Sequence, residues 1–346
     1  MKLSHRAMQP GDIAECVDIY ASHPVVGPRY GSTIKLLPEA WLRLLDREAK
    51  VAVVVYEDAG HRAPICFPGV TVFVNDDFMR EIKAPPHFWV GPELTRRIAS
   101  GESPALTSKE LREANSNGGL NLVCWESCIH PKYELLGEVQ RYLMSVFIEE
   151  HRGYLCKEAI SSQSFRADHL EFILKTGGYF WDHLAGGYTS TLRSDPGEII
   201  SKPHIVGITR ELERKKHGEW AGSWVGCLFD YHPPILGFAR NEQRLLSCAL
   251  GGATDEQIAE MLVIPLHAVK KLWVSIYLRV ERYLPELASD AISSEIPAAG
   301  RGREKRRRLL AYLRDHLEEL RPYSPRLLRK SAQAEKIKPV SRSIGA

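Results

Sequence analysis

The sequence predicts an α+β fold in which a mixed sheet flanked by helices is followed by an all-α C-terminal part. Two runs rich in β-branched residues, KVAVVVYED and ICFPGVTVFVN, have the composition of buried strands. From Phe238 onward, apolar residues recur every three or four positions, as they do on the inner faces of helices. At 346 residues the chain is long enough for two domains with separate cores.

Helices and strands alternate along the first 192 residues. A turn at Pro10-Gly11-Asp12 precedes a helix with Ile13, Cys16, Val17 and Tyr20 on one face. The further predicted elements are a helix at WLRLLDRE, strands over 50–58, 65–75 and 118–129, a helix over 138–150, a strand over 154–160, a helix over 165–174 and a final strand within 177–192.

Three other segments of the chain have no strong periodic pattern. The insertion over 76–117 is either a lid or partner surface formed by His87, Phe88 and Trp89, or a structured segment with these aromatic residues buried. The stretch 194–236 is predicted to be a connector with one helix ending near Gly218. The tail over 331–346 lacks apolar periodicity and is predicted to be disordered.

The opening RAMQPGDIAECVDIY, the IHPKY run after the third strand and the late GGY resemble the GNAT-type acetyltransferases over roughly residues 1–192. In that family a glycine-rich loop holds the pyrophosphate of acetyl-CoA at a helix N-terminus. Here the corresponding run is ELLGEV, in which Gly137 remains, Glu134 and Glu138 add negative charge and Val139 adds a side chain. The resemblance therefore implies a sensor or dimerisation domain over 1–193 that binds no cofactor.

The family also uses a tyrosine as an acid, and Tyr179 and Tyr188 are the candidates here, with packing aromatics as the alternative interpretation. At an effective dielectric constant of about 20, one like-charge contact near 4 Å costs on the order of 4 kcal/mol. Such a cost predicts weak or absent acetyl-CoA binding. We therefore place no catalytic residue in this domain.

Three helices are predicted between Phe238 and Val280. Gly251 and Gly252 end the first helix, and Thr254 with Gln257 forms a capping box that opens the second. Proline is tolerated at the start of a helix, so the third begins near Pro265. Its inward face comprises Val269, Trp273, Ile276 and Val280, and the residues projecting elsewhere are Lys270, Lys271, Ser275 and Arg279.

These helices, over 237–285, resemble the helix-turn-helix of LuxR-type (NarL/FixJ-like) transcriptional regulators without a gap for about forty residues. The resemblance implies that the protein binds DNA with His267, Ala268, Lys270, Lys271, Ser275 and Arg279. Lys270 and Lys271 are then the main groove and phosphate contacts. Pro265, Ala268 and the Leu272-Trp273 pair depart from the family pattern and reduce polar base readout, so affinity depends more on phosphate charge. The alternative is a helical module for packing or dimerisation.

A basic amphipathic helix is predicted over 300–322. The run RGREKRRR contributes Arg306, Arg307 and Arg308 as further DNA-binding candidates, because cations at a helix start oppose the macrodipole and favour an external anion. The alternative is a solvated charge run. Residues 236–346 hold 20 Lys and Arg against 13 Asp and Glu, whereas the rest of the chain is net acidic. The C-terminal third therefore has the charge expected for a polyanion partner.

Seven scattered cysteines fit reduced packing residues, and a metal or redox role of Cys124 and Cys128 is the alternative. The sequence contains neither a signal-length apolar segment near its start nor an apolar stretch of membrane-spanning length. A cytoplasmic protein without metal or membrane partners is therefore expected.

Taken together, the patterns predict a transcriptional regulator that binds double-stranded DNA as a homodimer and responds to a small-molecule or acyl-CoA effector. The alternatives are an active acyl-CoA-dependent N-acetyltransferase with an appended helix-turn-helix, and a protein-binding adaptor.

Overall fold

The structure is a computed structural model that describes residues 1–58, 63–126, 128–164, 178–183, 185–190, 203–216, 226–288 and 298–322. The chain divides into two compact units, Met1–Asp230 and Tyr231–Ala346. The first unit contains a mixed sheet with helices, and the described part of the second is helical. The predicted α+β fold class is therefore confirmed.

Among the described residues, the sheet of the first unit has eight strands in the order β1-β2-β3-β4-β5-β8-β6-β7. The strands β4 and β5 pair in parallel, and the other neighbouring strands pair antiparallel. Their bounds are β1 Leu3–Ala7, β2 Lys50–Glu57, β3 Ile65–Val74, β4 Leu120–Glu126, β5 Cys156–Ser164, β6 Phe180–Asp182, β7 Gly187–Thr189 and β8 His204–Thr209.

Helices of the first unit pack on this sheet. Their bounds are α1 Ile13–Ser22, α2 Val26–Tyr30, α3 Leu37–Leu45, α4 Asp76–Lys83, α5 Val90–Ser100, α6 Ser108–Ser116, α7 Gly137–His151 and α8 Arg210–Lys216, with 3₁₀ turns at Pro10–Asp12, Gly31–Leu36 and Gly226–Leu228. The predicted first helix is confirmed, since Ile13, Cys16 and Tyr20 are buried on one face of α1. The helix predicted over 165–174 and the tail over 331–346 lie outside the described residues.

The strand β1 has no counterpart in the sequence prediction. Its residues LSHRA are half-buried or exposed, and it lies at the sheet edge, where it pairs only with β2. An edge strand is held by backbone hydrogen bonds to one neighbour, so it needs no apolar run.

The segment predicted as a connector is part of the first unit. Within it, β8 inserts between β5 and β6, and five of its six residues are buried. The boundary between the units therefore falls at Asp230 rather than at residue 193. A buried strand of six residues between Gly and Pro signals has too short a pattern to identify without its partners.

The insertion between β3 and β4 folds into α4, α5 and α6. Asn75 caps α4 by accepting a hydrogen bond from the Phe78 backbone, and Thr107 forms a capping box with Glu110 at α6. Phe88 is half-buried and packs against the core of the unit. The insertion is thus a structured part of the unit, as the second interpretation expects, but its three aromatic residues are half-buried, not buried.

The second unit has its own hydrophobic core. Its helices are α9 Arg240–Leu250, α10 Asp255–Leu262, α11 Leu266–Tyr283, α12 Pro285–Ala288 and α13 Ala298–Asp315, followed by a 3₁₀ turn at Leu317–Leu320. Leu309 and Leu313 of α13 are buried beside residues of α9 and α11. The predicted amphipathic helix near residue 300 is therefore present and forms part of this core.

Candidate functional site

The helix α11 has one buried face. Val269, Trp273, Ile276 and Val280 are all buried, as their three- and four-residue spacing predicts. They pack with Leu245 and Ile258 of the two preceding helices. The orientation of α11 about its own axis is therefore set by apolar burial.

The helices α10 and α11 meet at an angle of 106° across the three residues Val263, Ile264 and Pro265. The Thr254–Gln257 capping box at the start of α10 is present as predicted. Two helices at about 90–120°, joined by three or four residues, have the geometry of a helix-turn-helix.

The opposite face of α11 is exposed. The residues of this face are His267, the adjacent Lys270 and Lys271, Val274 and Leu278. Apart from the lysine pair they lie three or four residues apart, and each is exposed. Among the described residues, neither lysine has a hydrogen bond, ion pair or aromatic partner. We call these five residues the exposed face of α11. It combines two unpaired ammonium groups with two apolar side chains.

Ser275 and Arg279 turn towards Glu242 of α9. The Ser275 hydroxyl donates a hydrogen bond of 2.6 Å to Glu242 Oε1, and Arg279 Nε lies 3.4 Å from Glu242 Oε2. Glu242 is 2% exposed and also accepts a hydrogen bond from the Ala239 backbone N–H at 2.7 Å. A buried carboxylate needs such partners, so Ser275 and Arg279 belong to this internal network. Ser275 is exposed and Arg279 is half-buried, and their contact with DNA stays a prediction.

Arg306 also has internal partners. Its Nη1 donates a hydrogen bond of 2.8 Å to Asp255 Oδ1, and its guanidinium carbon lies 4.4 Å from the centre of the Trp273 ring. The Trp273 indole N–H donates to the same Asp255 oxygen at 3.1 Å. Arg306 therefore joins three helices, contrary to the expectation of an external anion.

Arg307 and Arg308 pair with Glu304 in the preceding turn of α13. Arg307 Nη2 lies 2.7 Å from Glu304 Oε1, and Arg308 Nε lies 3.0 Å from the same oxygen. These hydrogen bonds lower the pKa of Glu304 to about 2. The sequence analysis did not take Glu304 into account, although its carboxylate neutralises part of the charge of the basic run. Arg307 remains 73% exposed and Arg308 17% exposed.

The start of α7 carries the run ELLGEV, which the sequence analysis compared with a phosphate-binding loop. Glu134 and Glu138 are both exposed, near His23 Nε2 at 3.9 Å and the N-terminal amine at 3.6 Å respectively. Burial lowers the pKa of His23, while Glu134 opposes that shift. One carboxylate, Glu134, thus precedes α7, and a second, Glu138, lies in its first turn.

The sequence analysis expected the side chain of Val139 to occupy the space of a bound phosphate, but the residue points into the core. It is fully buried and packs against Tyr133 and Cys66, so its side chain does not lie on the surface of the turn. A Cβ added to Gly137 would meet only the Arg141 side chain, at 3.4 Å. Charge, not bulk, is therefore the feature of this turn that opposes a phosphate.

The strands β4 and β5 separate at their carboxyl ends. Their parallel pairing ends at Val123 and Ile160, while β4 continues beside β3 to Glu126 and β5 continues beside β8 to Ser164. Open α/β sheets bind ligands outside the carboxyl ends of parallel strands, where neighbouring connections diverge. This opening is a second candidate site.

Glu126 and Arg29 form an ion pair at this opening. Arg29 Nη1 lies 3.0 Å from Glu126 Oε1, and the two side chains are 11% and 9% exposed. Burial raises the pKa of Glu126 to about 7, although Arg29 acts in the opposite direction. The guanidinium of Arg29 lies 4.3 Å from the centre of the Trp89 ring. A buried carboxyl that titrates near neutrality is a feature of functional sites.

The chain's own segment 88–91 fills the opening. Gln163 of β5 accepts a hydrogen bond from the Val90 backbone at 2.6 Å and donates one to the Phe88 carbonyl at 3.0 Å. A Cβ added to Gly91 would lie 2.9 Å from the Trp125 carbonyl oxygen of β4. The two strand ends are therefore bridged by the chain's own backbone.

Of the two tyrosines proposed as acids, Tyr188 lies in β7, and Tyr179 precedes β6 and is half-buried against the core. The Tyr188 hydroxyl donates a hydrogen bond of 2.6 Å to Glu158 Oε1, and Lys83 Nζ lies 2.6 Å from the same carboxylate oxygen. Burial is the main cause of the raised pKa of Tyr188. The packing interpretation fits Tyr188.

The cysteines of the described residues are free thiols. Burial raises the pKa of Cys124 to about 12 and that of Cys128 further, which disfavours the reactive thiolate. In the part of the chain that the structure describes, three or more His, Cys, Asp or Glu side chains do not converge on a point suited to a metal ion.

A cleft of about 330 Å³ lies between α1 and the loop after β4. Its lining includes Glu15, Asp18, His130, Lys132 and Tyr133. The volume is at the lower end of the range of about 300–1,000 Å³ found for small-molecule sites. This cleft is the candidate for an effector site.

Within the described ranges, no single helix has the length and apolar composition needed to span a membrane. The helices α10 and α11 pass that test together, with a bend of 106° between them.

The chain matches no family model and no curated protein. Among solved structures, an uncharacterised protein from Bacillus halodurans is similar at 10% sequence identity and a TM-score of 0.35. The match covers 63% of this chain and 89% of that one.

Two features of these sites escaped the sequence analysis. The Glu126–Arg29 pair joins residues 97 positions apart, for which no local pattern exists. The exposure of Val274 and Leu278 did have a signal, because both continue the four-residue spacing that begins at Lys270.

Proposed function

We propose that this protein is a DNA-binding transcriptional regulator. Its C-terminal unit would act as a LuxR-type (NarL/FixJ-like) helix-turn-helix, and its N-terminal unit as a GNAT-like domain without catalysis. The observation that carries this proposal is the position of Lys270 and Lys271, exposed and unpaired among the described residues, on the second helix of a pair that meets at 106°. The corresponding helix of such motifs enters the major groove of DNA.

The internal networks define which cations are available to a duplex. Lys270 and Lys271 keep their full charge for phosphates, whereas Arg279 and Arg306 pair with buried or half-buried carboxylates. His267 lies in the first turn of α11, where recognition helices contact base edges, and it is exposed; Ala268 beside it is half-buried. The proposed contact set therefore centres on His267, Lys270 and Lys271.

The salt dependence of DNA affinity tests this contact set. Each phosphate contact adds about one unit to the slope of log affinity against log salt, so Lys270→Ala and Lys271→Ala should each flatten it by about one unit. Arg314→Ala is the matched control, because it removes an exposed cation from a different helix of the same unit. If both lysine variants have the same slope as the unsubstituted protein, the surface that contacts DNA does not include the lysines of α11.

A dimer is part of the proposal. Helix-turn-helix proteins commonly bind two half-sites about one helical turn apart, and the symmetry of the site mirrors that of the dimer. Sedimentation of the protein with a duplex recovered by selection from random DNA should give two chains per duplex. One chain per duplex, with a site that lacks two-fold symmetry, would exclude the dimer.

An acyl-CoA-dependent N-acetyltransferase is the second candidate function. The divergence of β4 and β5 and the raised pKa of the buried Glu126 favour it. The bridging segment 88–91 and the carboxylates of Glu134 and Glu138 oppose it. We therefore assign the N-terminal unit a sensing or dimerising role, with a small molecule in the cleft near Tyr133 or an acyl-CoA as the effectors to test. A protein-binding adaptor, by contrast, would not be retained on DNA at low salt.

A further inference from the structure

The exposed face of α11 has an unusual composition for a helix that reads bases. Its first three turns, LHAVKKLWVSIYL, contain no arginine, asparagine or glutamine. Arginine and lysine make bidentate hydrogen bonds to guanine, and asparagine and glutamine make them to adenine. Polar readout by this segment therefore rests on His267, the two lysines and the exposed hydroxyl of Ser275.

Two aliphatic side chains occupy the rest of the face. Val274 is 59% exposed and Leu278 is 62% exposed. They lie one and two turns beyond Lys270. From Lys270 to Leu278 the helix rises about 12 Å, which is close to the width of the major groove. Both apolar groups can therefore lie inside a groove that Lys270 also contacts.

The two lysines argue against a second copy of this chain as the occupant of the face. A two-fold axis close to Lys270 and Lys271 would bring them against the same residues of the partner, so that four ammonium groups would face one another. Glu281, an exposed carboxylate further along the helix, already lies 3.5 Å from Lys305. A polyanion with apolar groups on its inner surface is the complementary partner.

We propose that the exposed face of α11 recognises thymine, by packing Val274 and Leu278 against C5-methyl groups in the major groove while Lys270 and Lys271 neutralise the flanking phosphates. This inference rests on the proposed function. The C5-methyl of thymine is the apolar group that the four unmodified bases present in the major groove. Apolar contact with it discriminates thymine without any hydrogen bond.

DNA duplexes of alternating adenine and thymine test the inference when they are compared with DNA duplexes in which deoxyuridine replaces every thymidine. The two probes carry the same phosphates and differ by the methyl group. Burial of one methyl group corresponds to about fourfold in affinity. The unsubstituted protein should therefore bind the thymine duplex at least about fourfold more tightly at equal salt.

Variants separate the methyl contact from differences in duplex shape. Val274→Ala and Leu278→Ala should weaken binding to the thymine duplex and bring the thymine-to-uracil affinity ratio towards one. Arg314→Ala should leave that ratio unchanged. Because both apolar side chains are exposed, the variants should keep the melting temperature of the unsubstituted protein, and circular dichroism checks this.

The outcomes of these experiments distinguish a failure of thymine recognition from a failure of DNA binding. Salt-dependent binding with the same affinity for both duplexes, or an unchanged ratio in both apolar variants, would overturn thymine recognition and leave DNA binding intact. Absence of binding to either duplex at low salt would remove both. In that case, self-association that Leu278→Ala abolishes would identify a second copy as the occupant of the face.

Discussion

The indole of Trp273 links three helices of the C-terminal unit. Its ring is buried in the core, its N–H donates to Asp255 at the start of α10, and Arg306 of α13 covers it. The residue thus combines apolar burial with a satisfied polar group. Few single side chains contribute to so many contacts at once.

Trp273→Ala should lower the free energy of unfolding of the C-terminal unit by about 3 to 5 kcal/mol, because it leaves a cavity and removes a partner of Asp255 and Arg306. Denaturant unfolding followed by circular dichroism measures the change. Val274→Ala, at the neighbouring exposed position, is the control and should change the same quantity by less than about 0.5 kcal/mol. Equal losses in the two variants would contradict the assignment of Trp273 to the core.

Glu126 makes the stability of the N-terminal unit depend on pH. Burial raises its pKa to about 7 in the folded state, above the ordinary value of 4.5. The folded state therefore binds a proton that the unfolded state has released. The stability that this bound proton contributes is fully present below pH 4.5 and is lost as the pH rises through about 7.

Unfolding by denaturant across about pH 5 to pH 8 should thus show a declining free energy of unfolding. Glu126→Gln keeps the shape but cannot titrate, so it should remove this part of the decline. The free energies of unfolding of the Glu126→Gln variant and of the unsubstituted protein should therefore diverge within this pH range. Parallel curves would mean that Arg29 keeps Glu126 ionised throughout.

At the scale of elements, the turn between α10 and α11 holds a strained backbone. Val263 has φ of 54° and ψ of 47°, which is the left-handed region, and its side chain is 89% exposed. A β-branched residue rarely adopts this conformation, whereas glycine does so without strain. The side chain gains almost no burial in return.

Val263→Gly should therefore raise the free energy of unfolding of the C-terminal unit by up to about 1 kcal/mol, since relief of strain exceeds the entropy cost of glycine. Thermal unfolding measures the gain. Val263→Ala, which keeps a Cβ, should give a smaller effect. A loss of stability in the glycine variant would show that the exposed valine side chain stabilises the turn.

The basic helix α13 shows how charge in a sequence differs from charge at a surface. Arg306 binds Asp255, and Arg307 and Arg308 share Glu304. A run of cations therefore stabilises the helical core and its own helix. The unpaired lysines of α11 lie outside these ion pairs, so the proposed interface depends on two cations, not on the larger cluster.

At the scale of the whole molecule, the units have separate cores and the proposal gives them separate roles. Acetyl-CoA at about one hundred times its dissociation constant would add about 2.7 kcal/mol of stability. We expect no rise in melting temperature at millimolar acetyl-CoA, because segment 88–91 fills the strand opening and the carboxylates of Glu134 and Glu138 flank the start of α7. Differential scanning calorimetry measures this. A clear rise would favour the acetyltransferase.

Much of the fold could be predicted because its signals are local. The strands β2 and β3 and the inner face of α11 follow from periodicity, and the capping box at Thr254 follows from residues three apart. The strands β1 and β8 could not, since one is held by backbone pairing at an edge and the other is too short to show a pattern.

The residues of the candidate site also fall into two groups, those whose positions local spacing predicts and those whose partners it does not. The spacing in the sequence was sufficient to place Lys270 and Lys271 away from the core, because helical periodicity alone determines which side of α11 is buried. Ser275, Arg279 and Arg306 are also polar or cationic, yet their contacts are made with carboxylates that are distant in sequence, Glu242 and Asp255.

Amino-acid order thus determined the strands and helices with strong local patterns, the buried face of α11 and the net charge of each part of this chain. Tertiary structure alone decided which charges distant in sequence cancel, because ion pairing depends on distances between groups that folding brings together. It also decided that segment 88–91 fills the space between β4 and β5.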